Sequence, residues 1–214
     1  GGLTPTLGSL LTVKRHCPDL KVMCMVRPRE GGFCYTDIEF ETMLSDAKIF
    51  LENGADGIVF GFLHEDGTVN TERVKKMLEV VGDSESVFHR AIDVVPDVMK
   101  ALDQLIELGV TRVLTSGQRP TVPEGINTIK AMIEHAEGRI QILPGCGITP
   151  ENAAWVRDMT GTTMMHAALS RTVYDVSAMG NPSIYFGGYV FPPEDRYNVT
   201  VAEDVAAFVT GANR

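Results

Sequence analysis

Seven consecutive residues mix groups that a protein core needs with groups it rejects. Val87, Phe88, Ala91 and Ile92 are apolar, whereas His89, Arg90 and Asp93 supply an imidazole, a guanidinium and a carboxylate. Such a set can hold an anion, move a proton near neutral pH, or fix a turn through an Arg–Asp pair. Side chains alternate along a strand, so His89 shares a face with Val87 and Ala91, opposite Phe88 and Arg90. A charged cluster closing an apolar run suits the mouth of a parallel sheet, where α/β proteins build their sites. The bland alternative is an Arg90–Asp93 pair that only fixes the turn.

Other apolar runs end in the same manner. Arg27 and Arg29 flank Pro28, and two guanidiniums so placed can fork a phosphate or carboxylate, surface solvation being the alternative. Thr115-Ser116-Gly117 offers hydroxyls and backbone amides. Pro144-Gly145-Cys146-Gly147-Ile148 precedes Thr149 and Pro150, which read as the cap and first residue of a helix, so an anion against Gly145 and Gly147 would meet amides and a helix dipole. His166 closes a last apolar run, with a satisfied core histidine as the alternative. His64-Glu65-Asp66-Gly67 reads as a solvated turn. Together these ends predict one pocket. In it Arg27, Arg29, Arg90, Ser116, Gly145 and Gly147 hold an anion, His89 or His166 serves as acid or base, and Asp93 orients a neighbour.

The soft donors carry less. Met23, Cys24 and Met25 are adjacent, but a strand sends Cys24 to the opposite face from the two methionines. Met164 and Met165 split likewise, and core packing is the expected role of all five. Cys34 and Cys146 lie in strand-end loops and are the better candidates for touching a metal, although no paired-ligand spacing supports either.

The elements that must position these groups repeat one pattern. Strands are expected over 21–26, 57–62, 86–91, 111–114, 139–143 and 162–166, each but the last followed by an amphipathic helix pattern. Thr36 and Glu39 form a capping box, and Asn70, Pro96, Pro123 and Thr149 mark further helix starts. A helix is also expected over 9–16 and another over 201–209, with a glycine- and proline-rich loop over 181–193. Units recurring every ~23 to 35 residues are βα repeats, and strict alternation means a parallel sheet with helices outside. Polar chemistry at every strand end favours a TIM (β/α)₈ barrel over an open doubly wound sheet, where only the switch point needs it. Six strands are two short of eight. The glycine loop at the start suggests that the first two strands are absent from this chain, leaving residues 1–214 as one barrel domain incomplete at its N-terminus.

The chain has 214 residues, with 44% apolar and 22% charged residues, as expected of a soluble globular protein. A net charge of −9 argues against nucleic-acid binding. No apolar run approaches the roughly 20 residues of a membrane helix. Cys17, Cys24, Cys34 and Cys146 lack a disulfide-framework spacing and read as reduced thiols of a cytoplasmic protein.

Five ordered motifs resemble the CutC copper-homeostasis family: Met25-Val26-Arg27-Pro28-Arg29, Asp56-Gly57-Ile58-Val59-Phe60-Gly61, Phe88-His89-Arg90-Ala91-Ile92-Asp93, Arg112-Val113-Leu114-Thr115-Ser116-Gly117 and Pro144-Gly145-Cys146-Gly147-Ile148. The opening Gly1-Gly2-Leu3-Thr4-Pro5 is similar to the loop after that family's second strand, and the likeness runs to about Leu169. The resemblance implies a (β/α)₈ barrel, a cytoplasmic location, and a role in copper homeostasis with Cu(I) as the bound ion. It also implies that the family's cysteines proposed for copper lie upstream of Gly1, and it brings no established reaction. The tail after Ser170, with Tyr185-Phe186-Gly187-Gly188, departs from the family. The polar mouth suggests an alternative: a barrel enzyme, such as an isomerase, lyase or hydrolase, acting on a small phosphorylated or carboxylated metabolite. The expected partners are therefore a copper ion or a small anion, and the chain leaves homo-oligomers open.

Overall fold

The computed structural model describes residues 2–181, 183–184 and 194–212. Its centre is a parallel sheet of five strands: β1 (Met23–Met25), β2 (Gly57–Phe60), β3 (Glu85–Phe88), β4 (Arg112–Thr115) and β5 (Gln141–Pro144). The strands neighbour one another in chain order without reversal. A doubly wound sheet would reverse its order at a switch point, so this winding is the TIM-barrel one.

Helices α1 (Leu7–His16), α2 (Asp37–Glu52), α3 (Thr71–Val81), α4 (Val98–Leu108), α5 (Val122–Ala136) and α6 (Ala153–Thr160) alternate with the strands. Their starts are set by side chains. Thr36 and Glu39 close a complete capping box at α2, and Asp97 accepts from two amides at α4. Gly109 and Gly161, both left-handed, end α4 and α6.

Strand alternation divides the core in two. Cys24, Ile58, Phe60, Phe88, Val113 and Ile142 face the helices, packing with Met43, Met77, Leu105 and Ile129. Met23, Met25, Val59, Val87, Leu114 and Leu143 line the opposite, inner face. The register allows close approach only at chosen points. A Cβ on Gly57 would lie 2.3 Å from the Glu85 carbonyl oxygen, and one on Gly125 would lie 1.9 Å from the Ser116 carbonyl oxygen. Glycine at 125 is what lets α5 pack directly under the end of β4.

Three expectations are corrected. The strand expected over 162–166 is reduced to one parallel bridge, Gly145 to His166. Thr162 Oγ1 instead bonds within its own segment, donating to the Met164 carbonyl and accepting from the Met164 amide, and such local bonds compete with a ladder. Helix α6 begins at Ala153, not at Thr149–Pro150, because the Thr149 amide donates to Asn152 Oδ1 and Asn152 Nδ2 donates to the Gly147 carbonyl. The strand expected over 86–91 stops at Phe88, and His89 caps a 3₁₀ turn, Arg90–Val94.

An antiparallel pair, β6 (Ser170–Tyr174) with β7 (Arg196–Thr200), follows the bridge and was not foreseen. Helix α7 (Ala202–Ala212) comes next, and its Phe208 joins the core. Most of the loop expected over 181–193, namely 182 and 185–193, lies outside the described residues. No helix among the described residues is long and apolar enough to cross a membrane.

Candidate functional site

The predicted residues follow the C-terminal ends of the strands, and their hydrogen bonds and ring contacts gather them into three groups. The first group joins the ends of β1 and β3. The amide of His89 donates to the Phe60 carbonyl at 2.8 Å, so the ladder runs one residue past the strand and sets His89 beside Gly61. The ring is buried (3% exposed), and its Nδ1 accepts from the Ala91 amide at 3.1 Å. The ring proton is therefore on Nε2, and Nε2 has no partner. Burial first, and the nearby Arg27 charge second, hold the His89 pKa at about 3. The imidazole is neutral at physiological pH, which suits a fixed N–H donor better than the proton mover that the sequence suggested.

Arg27 is 9% exposed, which is rare for an arginine. Its Nη2 donates to the Gly31 carbonyl (2.9 Å) and Nη1 to the Gly2 carbonyl (3.3 Å), while buried Nε has no partner. No carboxylate pairs with it among the described residues. The Phe33 ring bridges the two groups, its centroid 4.9 Å from that of His89 and 5.3 Å from Arg27 Cζ. The hydroxyl of Tyr35 (4% exposed) is a third buried, unpartnered polar atom. Burial pushes the Tyr35 phenol up, and the neighbouring Arg27 guanidinium opposes that shift by its charge and by a contact with the hydroxyl that falls outside hydrogen-bond geometry. Each such orphan costs on the order of 1–3 kcal/mol. Sequence reasoning missed Tyr35. The available signal was a hydroxyl-bearing aromatic in the same strand-end loop as Arg27.

Arg29 does not join this group. Its Nε meets Glu39 Oε1 at 2.5 Å, its other nitrogens donate to the Glu30, Gly32 and Cys34 carbonyls, and its guanidinium lies over the Tyr35 ring. Arg29 staples the loop to α2, with the Glu39 pKa pulled down to about 2, so the anion its guanidinium holds here is the protein's own carboxylate.

The second group is a closed knot. The Asp93 carboxylate accepts from Arg90 Nε (2.8 Å), Thr115 Oγ1 (2.5 Å), the Ser116 amide (3.0 Å) and the Gln118 amide (3.2 Å), and the Ser116 hydroxyl lies 2.9 Å away. Gly117 and Gln118 are both left-handed, which turns the Gln118 amide back to the carboxylate, while the Gly117 amide donates to Thr115 Oγ1. Arg90 Nη2 donates to Ser116 Oγ at 2.7 Å. The anion in this cradle is the protein's own.

The third group follows β5. The His166 amide donates to the Pro144 carbonyl, and a Cβ on Gly145 would lie 2.9 Å from His166 Cβ. Burial lowers the His166 pKa. Gly147 is left-handed, as is Cys146, whose thiol reaches the Pro120 carbonyl at 3.3 Å. With α6 starting at Ala153, the 145–148 loop does not sit on a helix N-terminus.

Soft donors do not converge. Cys24 is buried on the helix face, and Met23 and Met25 pack on the inner face. Among the described residues no three His, Cys, Asp or Glu side chains cluster as a metal site. Cys34 is exposed and Cys146 half-buried, each without a second thiol.

The CutC family profile matches residues 1–171. A CutC family protein of Treponema denticola is 51% identical over 209 residues, spanning 98% of this chain and 85% of the relative. The human copper homeostasis protein cutC homolog is 39% identical over 200 residues, 94% of this chain and 73% of that protein. The crystal structure of CutC from Streptococcus agalactiae superposes with a TM-score of 0.75 at 35% identity, covering 78% of this chain and 82% of the other. A structure described as an aldolase, QR15, shares the fold at a TM-score of 0.54 and 16% identity, covering 74% and 72% of the two chains. By sequence motifs, barrel winding and these matches, the chain belongs to the CutC family.

Proposed function

We propose that the protein acts in copper homeostasis in the cytoplasm, with Cu(I) as cargo. The support is its similarity to the human and mouse proteins of that name, at 39% and 38% identity. The thiols that would touch the ion are Cys34 and Cys146, since thiolates suit Cu(I) and both lie in strand-end loops. Deleting the gene in its host should alter copper tolerance, and a plasmid copy should restore it. Unaltered tolerance would refute the role.

A second reading rests on the mouth itself: it binds a small organic anion and acts on it. The observation that favours it is the set of three buried, unpartnered donors at Arg27, Tyr35 and His89. Unfilled buried donors are costly, and a ligand repays that cost. Here Arg27 supplies charge, His89 a fixed N–H, and Arg90, braced by Asp93 and Ser116, the rim. His166 is the group left for proton transfer. The test is a thermal-shift screen of phosphorylated and carboxylated metabolites. No hit across both classes would count against it.

A further inference from the structure

We infer that the niche formed by Arg27, Phe33, Tyr35 and His89 is selective for a monoanionic carboxylate over phosphate. This rests on the second reading above and narrows it. Three donors are on offer: Arg27 Nε–H, the Tyr35 hydroxyl and His89 Nε2–H, each buried and unpartnered. Phe33 touches both Arg27 and His89, which holds these groups around one ring. Arg27 carries the single positive charge here, because Arg29 is neutralised by Glu39 and Arg90 by Asp93.

Charge then decides the ligand. A buried site tolerates a neutral sum and penalises a net charge. One guanidinium balances one carboxylate. A phosphate monoester near pH 7 carries close to two negative charges and would leave one uncompensated. Donor number agrees, since three N–H or O–H groups fill three of the four in-plane lone pairs of a carboxylate and leave a larger share of a phosphate's acceptor sites empty. The aromatic wall of Phe33 suits the apolar carbon next to a carboxylate. The Phe33 carbonyl accepts from the Leu63 amide, three residues past the end of β2, which fixes the segment that carries the ring.

The experiment titrates acetate, pyruvate, inorganic phosphate and glycerol 3-phosphate into the whole chain, followed by calorimetry and by the ¹⁵N shifts of His89. Carboxylates should saturate and perturb Nε2, with phosphates at least about tenfold weaker. Tyr35→Phe removes one donor and leaves the ring. It should weaken pyruvate about tenfold while raising the melting temperature of the free protein, because an unsatisfied hydroxyl is gone. Tighter phosphate than carboxylate binding would overturn the selectivity and leave the anion-binding mouth standing. Absence of binding by any of the four, or an unchanged pyruvate affinity in Tyr35→Phe, would overturn the niche itself.

Discussion

Gly61 and His89 are neighbours by register, and a Cβ on Gly61 would lie 2.4 Å from His89 Cε1 and 2.6 Å from Nδ1. The imidazole occupies the space that a side chain at 61 would take. Its orientation is then fixed by the Ala91 amide on Nδ1. The smallest substitution at 61 therefore reaches a residue 28 positions away in the chain through direct contact.

Gly61→Ala should destabilise the fold by about 1–3 kcal/mol, the range for overpacking a buried site. Urea denaturation measures the loss. Shifted His89 ring resonances would locate it, and a variant as stable as the parent with unmoved resonances would contradict the packing.

Acid should weaken the protein above the usual carboxylate range. Folded His89 titrates near 3, whereas the unfolded residue titrates near 6.5, so the unfolded chain binds the extra proton first. That stability is fully present above pH 6.5 and declines as pH falls toward 3. On the order of 2 kcal/mol should go between pH 6.5 and 5. His166, also lowered, contributes with the same sign. Denaturation midpoints at several pH values measure this, and His89→Gln should flatten the profile. A flat parent profile between pH 7 and 5 would mean that His89 is not held neutral.

Removing the Asp93 carboxylate leaves Arg90, Thr115 and the Ser116 and Gln118 amides facing an empty cradle. Asp93→Ala should cost about 1–3 kcal/mol, discounted because Arg90 is part-exposed. Formate should restore part of the lost melting temperature in this variant and have a smaller effect on the parent. Equal responses to formate would show that the cradle does not hold an anion.

Cu(I) affinity of this 214-residue chain should be weak, because its cysteines stand apart. A competition titration against a colorimetric Cu(I) chelator reads it out. Tight one-to-one binding abolished by Cys34→Ser or Cys146→Ser would reverse the expectation.

Barrel winding was legible because helix caps, glycine stops and apolar runs recur in register with the βα repeat. The faces of Met23, Cys24 and Met25 followed from alternation alone. What escaped depended on tertiary contacts that leave no periodic trace. Arg29 was expected in the pocket beside Arg27, yet Glu39, ten residues on, claims it. Asp93 and Ser116 were read as separate contributors and prove to be partners. The run ending at His166 has the apolar residues of a strand, but Thr162 turns its hydrogen bonds inward. Tyr35 passed unremarked because a burial environment, not a spacing, makes its hydroxyl informative.

Chain-order pairing of the strands also bears on how the molecule assembles. Each strand joins the one about 30 residues before it, so every ladder closes a loop of similar, modest length. Within the described five-strand sheet no pairing skips a strand. The sheet can therefore lengthen one βα unit at a time as the polypeptide leaves the ribosome, each new strand finding its neighbour already made. Along that route the His89–Gly61 contact forms as soon as β3 docks on β2, and it needs neither β4 nor the Ser116 that follows it.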